Sequence, residues 1–127
     1  MNHVVKLSLR THPEVLFSYK ANYVELISRV ENHSEHPLWA EADVIVPEKL
    51  SLSPSGSELR KGRVRIGIVG KNEFLEKAVR IYGNGLTAPQ MYHCSVILYI
   101  FNGDGVIDKR MEKSIDLRCE PKKEATL

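Results

Sequence analysis

Across most of this chain apolar residues recur with period two, in runs rich in Val, Ile and Tyr, a pattern that suits half-buried strands rather than helices. A chain patterned this way satisfies its backbone groups by pairing strands, so the fold is read as all-β. The runs fall at residues 4–9, 23–31, 38–46, 63–69, 77–82, 92–101 and 106–119, with weaker pieces at 15–19 and 50–53. All 6 prolines lie outside the stronger runs or at their ends, where a residue that cannot donate to a sheet ladder acts as punctuation.

Two stretches are less regular. Between Asn72 and Gly83, Phe74, Leu75, Ala78, Val79 and Tyr82 would also line one face of a helix, and a strand is the reading preferred. Residues 51–62 are polar and contain Pro54 and Gly56, so they are expected to form an exposed loop that no packing holds still. With 127 residues, 43% of them hydrophobic, the chain suits one domain over residues 1–120, followed by a frayed tail over 121–127.

Parity sorts each run into two faces, because side chains alternate across a strand. Leu38, Ala40, Ala42, Val44 and Val46 are all apolar, so the even face of that run is assigned to the core. In the last run the odd set Ile107, Met111, Ile115, Leu117 and Cys119 is assigned to the core, interrupted by Lys109 and Lys113. The stretch Asn102-Gly103-Asp104-Gly105 suits a tight hairpin with positive-φ positions. That hairpin sets Tyr92, Cys94, Val96, Leu98 and Ile100 on the same face as the odd set after it, so the two patterns agree.

The same register places residue 119 opposite about residue 88, on the order of 20 Å from Cys94, whereas a disulfide needs Cα atoms within about 7 Å. No intrachain bridge is expected, and a reducing compartment follows. The first ten residues lack a basic region followed by an apolar stretch, and no run approaches the length of a membrane span. A cytoplasmic protein without membrane contact is therefore expected.

Val30-Glu31-Asn32 before a polar loop, the alternating run ending in Pro47, Thr87-Ala88-Pro89 before Tyr92, and the long terminal hairpin together resemble the immunoglobulin-like superfamily. They resemble in particular its adhesion-type prokaryotic domains, the CARDB-like group. The resemblance implies an antiparallel immunoglobulin-like β-sandwich of about seven or more strands and, by analogy, a binding or scaffolding role. Tyr92, two residues before Cys94, looks like the tyrosine corner of such folds, whose hydroxyl bonds nearby backbone. No cysteine lies near Leu26 or Ile27, so the inter-sheet disulfide of antibody domains is absent, and Trp39 has the wrong parity for their buried tryptophan.

Catalytic signatures are sparse. His93 and Cys94 are neighbours that point to opposite faces of a strand and so cannot form a hydrogen-bonded dyad. Neither a Gly-x-Ser-x-Gly elbow nor a phosphate-binding glycine spacing is present. The stretch from Asn102 to Asp108 copies the middle of a calcium loop, but the first and twelfth positions hold Ile100 and Met111 instead of carboxylates. His33, His36 and Asp104 fall at one end of the expected fold as a weak metal site. No catalytic residue, cofactor or firm metal ligand is assigned.

A net charge of +2 argues against a dedicated polyanion binder. Arg60, Lys61, Arg63 and Arg65, with Lys109, Arg110 and Lys113, keep a nucleic-acid-binding β domain as an alternative, although Arg63 and Arg65 alternate with apolar residues as on an ordinary solvated strand. The residues that stand out are Trp39, Ile45, Ile97, Tyr99 and Phe101, apolar positions on the face away from the core. A sheet normally shows water a polar outer face, so these five are the expected partner-binding residues, with a second copy of the chain as partner in a homodimer. Cover by residues 51–62 or by the N-terminal segment is the competing explanation.

Overall fold

A computed structural model describes residues 4–55 and 57–122. The expected tail lies outside the described residues from position 123 onward, as does Gly56. The chain is all-β: β1 (Val5–His12), β2 (Val15–Phe17), β3 (Asn22–Asn32), β4 (Leu38–Ile45), β5 (Lys61–Val69), β6 (Phe74–Gly83), β7 (Gln90–Phe101) and β8 (Ile107–Glu120). They form a three-stranded sheet in the order β1-β3-β6 and a five-stranded sheet in the order β2-β8-β7-β4-β5. Among the described residues there is no helix long and apolar enough to cross a membrane.

The inner faces of the two sheets share one core. Val24, Leu26, Val30 and Ile81 come from the smaller sheet, and Ala40, Val44, Val96, Leu98, Ile100 and Leu117 from the larger. Each fully buried Val, Leu or Ile side chain of this set contributes about 1.5–3 kcal/mol relative to exposure. Ala40, Ala42 and Val44 on the even face of β4 are buried as parity predicts, and Leu38 at its start is half-buried. The hairpin of β7 and β8 pairs Tyr92 with Leu117, Cys94 with Ile115 and Leu98 with Met111, the same-face sets read from the sequence. Residue 119 stands opposite Gln90, two residues from the expected place, and both cysteines are free and buried.

Tyr92 is buried, and its hydroxyl donates to the Ala88 carbonyl at 2.7 Å, the tyrosine corner expected at this position. Residues 74–83 form a strand throughout, with Leu75, Val79 and Ile81 on the inner side and Phe74, Ala78 and Tyr82 on the outer. The apolar residues that suggested a helical face are thus divided between two sheet faces.

Three expectations are corrected. The larger sheet is mixed, because β2 pairs in parallel with β8 through Val15, Leu16 and Phe17. The expected loop is exposed at Pro54, Ser55 and residues 57–60, but its start is held: Ser51 is buried and exchanges backbone hydrogen bonds with Tyr82, Leu52 packs on the core, and Lys61 and Gly62 already belong to β5. Ile107 is not a core residue but lies on the outer face, 51% exposed, opposite Phe101. The cause is a bulge: Ile100 pairs with Lys109 and Phe101 with Ile107, so Asp108 has no partner and parity reverses beyond it.

Candidate functional site

A second bulge acts the same way on the other side of β4. Glu41 pairs with Arg65 but Ala40 with Gly67, which leaves Ile66 as an extra residue and turns Ile68 to the outer face opposite Trp39. Gly67 sits there at φ +115°, a conformation that side chains rarely adopt. Trp39 in turn pairs with Phe101 across β7.

The two bulges thereby align Ile68, Trp39, Phe101 and Ile107 in one lateral row across β5, β4, β7 and β8. Ile68 is 62% exposed and Trp39 37%, and Phe101 is half-buried. Val106, in the hairpin turn next to Ile107, is 60% exposed. Beside the row lies a hollow of about 510 Å³, lined by Leu38, Trp39, Ile68 and Phe101 together with Glu41 and Asn102.

The loops around this end are held by buried or convergent amides. Asn32 is fully buried, and its Nδ2 donates to the carbonyls of Val69 at 2.9 Å and His36 at 2.8 Å. Its Oδ1 accepts the Ser34 amide at 2.8 Å and the Ser34 hydroxyl at 2.7 Å, so one side chain ties the loop before β4 to the end of β5. In the hairpin, Asn102 Oδ1 accepts the amides of Asp104 at 2.9 Å and Val106 at 3.2 Å, and Gly105 takes φ +76°. That oxygen is committed to the turn, which explains the calcium-like spacing as turn chemistry.

Below the row the outer face is ionic. Arg63 grips Asp43 with Nε at 2.6 Å and Nη2 at 3.2 Å, and its guanidinium carbon lies 4.9 Å from the Tyr99 ring centroid. The hydrogen bond from Arg63 holds the Asp43 carboxyl below the usual carboxylate range against the opposing effect of burial, with smaller help from the Tyr99 hydroxyl and Lys61. Trp39 Nε1 donates to Glu41 at 2.9 Å, which fixes the indole.

The five expected contact residues are therefore not one patch. Trp39 and Phe101 stand side by side in the row. Tyr99 lies one step below, under Arg63. Ile97 is only 8% exposed, opposite Asp43, and Ile45 lies beyond that ion pair, opposite Ser95 and Lys61. Sequence parity missed Ile68 and Ile107 because both owe their orientation to a bulge. Among the described residues neither proposed cover reaches the row: the N-terminal strand pairs with β3 in the other sheet, and the segment at Ser51 joins β6.

The remaining candidates are scattered. Among the described residues no three His, Cys, Asp or Glu side chains gather as metal ligands. His33 lies 3.6 Å from Glu31. His93 is exposed with Nδ1 3.0 Å from Asp116, while Cys94 is buried on the opposite face with its thiol pushed up to about 12 by burial. Several of the basic residues meet carboxylates: Arg60 meets Glu48, Lys61 and Arg63 meet Asp43, and Arg110 meets Glu112. Lys113 instead donates to the Leu7 carbonyl at 3.1 Å, spanning the open side between β8 and β1.

No protein-family model matches this chain, and no curated protein does. Among solved structures, the fold is similar to the CARDB domain of a Pyrococcus furiosus protein, whose crystal structure is a complex with di-metal ions. The TM-score is 0.50 and the identity 15%, over 92% of this chain and 90% of that one. The alkylpurine DNA glycosylase of Pseudomonas fluorescens, bound to DNA containing an abasic-site analogue, matches with TM-score 0.44 and 13% identity over 92% of this chain and 30% of that one. The CARDB likeness concerns the fold alone, and it agrees with the resemblance read from the sequence.

Proposed function

We propose that this chain is an immunoglobulin-like β-sandwich that works as a non-catalytic interaction module, pairing with a second copy of itself through the row Ile68, Trp39, Phe101 and Ile107. The observation that carries this reading is that two separate bulges, in β5 and β8, turn isoleucines to the solvent side of one row. Bulges re-aim side chains, and an apolar row stands out on an outer face, where a sheet normally shows water polar residues. The row and its neighbouring hollow offer both projecting side chains and a recess, the combination that a self-complementary contact requires.

Aromatic side chains are enriched at the centres of such contacts, and Trp39 and Phe101 hold the middle of the row. The ionic belt of Arg63, Asp43 and Glu41 below it supplies a polar rim. A single row is smaller than the area of a permanent interface, so the expected dimer is a weak one in the micromolar range. Sedimentation velocity across concentration tests this. A monomer–dimer equilibrium is the expected result, and a monomer at every concentration overturns self-association.

A further inference from the structure

The opposite end of the molecule carries a second hollow of about 410 Å³, within the roughly 300–1,000 Å³ of small-molecule sites. Its floor is the outer face of the three-stranded sheet at Tyr23 and Tyr82, directly paired residues whose rings stand 5.6 Å apart at 53°. Arg80, which does not line the hollow, lies 4.4 Å from the Tyr23 ring centroid and steadies that ring. Lys49, Ser53, Pro54, Ser57 and Glu58 line one wall, and Asn84 lines the hollow next to Lys49.

This wall is built from inside the fold. Thr87, fully buried, donates from Oγ1 to the Lys49 carbonyl at 2.7 Å and accepts the Asn84 amide at 2.9 Å. Ser51 Oγ donates to the Ser57 carbonyl at 2.7 Å and accepts the amides of Ser53 at 3.0 Å and Leu59 at 3.1 Å. Two buried hydroxyls thus anchor the backbone at Lys49, Ser53 and Ser57 near two tyrosines.

The hydroxyls of Ser53 and Ser57 bond to neighbouring serine hydroxyls, partners that a ligand hydroxyl can replace. Lys49 and Glu58 put one cation and one anion on the lining, so neither an anion nor a cation is matched throughout. Two tyrosine rings, tilted to one another, beside exchangeable hydroxyls suit a molecule with an apolar ring face and hydroxyl edges. We propose that this hollow binds a neutral polyhydroxyl ring of the pyranose class. The proposal does not rest on self-association, which uses the other end of the fold.

The test is a titration of the full chain with the methyl glycosides of glucose, galactose, mannose and N-acetylglucosamine at millimolar concentration, followed by backbone amide chemical shifts. At least one glycoside is expected to give saturable shifts at Tyr23, Ser53, Ser57, Tyr82 and Asn84, with Trp39 and Ile68 unmoved. Tyr23→Ala should weaken that binding about tenfold or more and Ser53→Ala about threefold, each variant keeping the dispersed spectrum of the folded chain. No saturable shift with any glycoside overturns the proposal, as does full retention of the shifts in Tyr23→Ala. Shifts at these residues with inorganic phosphate alone overturn the neutral class.

Discussion

Ile68 stands opposite Trp39 only because β5 holds one residue more than β4 between the pairs Glu41–Arg65 and Ala40–Gly67. Without that extra residue, Ile68 would continue the inward set of Val64 and Ile66, and the apolar row would end at Trp39. The position that permits the bulge is Gly67 at φ +115°. A Cβ there would meet Leu75 Cδ1 at 3.4 Å, an ordinary contact, so the obstacle to a side chain is the backbone conformation. Gly67→Ala is expected to lower stability by about 1–3 kcal/mol, read as a reduced urea midpoint at unchanged slope. A midpoint equal to that of the parent chain would show that the bulge does not depend on glycine.

The row itself can be probed without touching the core. Ile68 is 62% exposed, so Ile68→Asp should lower stability only by about 1 kcal/mol, the loss of strand preference and of its pair with Trp39. Placed next to Trp39, the new carboxylate would have to be desolvated on contact, and the dimer dissociation constant should rise about tenfold or more. Sedimentation equilibrium on parent and variant reads this directly. Equal dissociation constants would remove the row from the interface.

The strand pattern was readable wherever alternation runs unbroken. The pairing of β7 with β8 follows from parity on each side of the Asn102 turn, and Tyr92 reaches the Ala88 carbonyl as its place before Cys94 implies. Parity fails beyond a bulge, because one unpaired residue reverses every side chain after it. For Ile68 the signal was present, an isolated glycine within a strand; for Ile107 the unpaired residue is Asp108, which carries no such mark. The segment around Ser51 misled for a different reason. Its anchors lie far along the chain, Tyr82 from Ser51 and Thr87 38 residues beyond Lys49, and no local pattern reports such a bond.

The two thiols should be silent in the folded chain. Cys94 and Cys119 are both buried, and burial pushes the Cys94 thiol up to about 12, far from the thiolate that reacts. Cys119 is shifted upward as well, first by burial and then by the neighbouring Glu120. A disulfide-exchange reagent at pH 8 should therefore find almost no reactive thiol in the native protein and 2 after denaturation. Rapid labelling of the native chain would mean that the β7–β8 hairpin opens readily.

The ion pair at the centre of the outer face makes a prediction about acid. The Arg63 guanidinium holds the folded-state value of Asp43 below the ordinary 3.8, so the group binds protons less readily folded than unfolded. Its contribution is fully present above 3.8 and is lost as pH falls through the lower folded-state value, because there the folded chain must also take up the proton. Asp43→Asn keeps the shape and removes the charge, so the variant should be less stable at neutral pH by roughly 1 kcal/mol, an amount kept small by solvent screening of the half-exposed Arg63. The difference between parent and variant should shrink as pH falls below 3.8. Urea unfolding across that range measures it. A gap that stays constant into strong acid would assign the loss to packing of the amide rather than to the charge on Asp43.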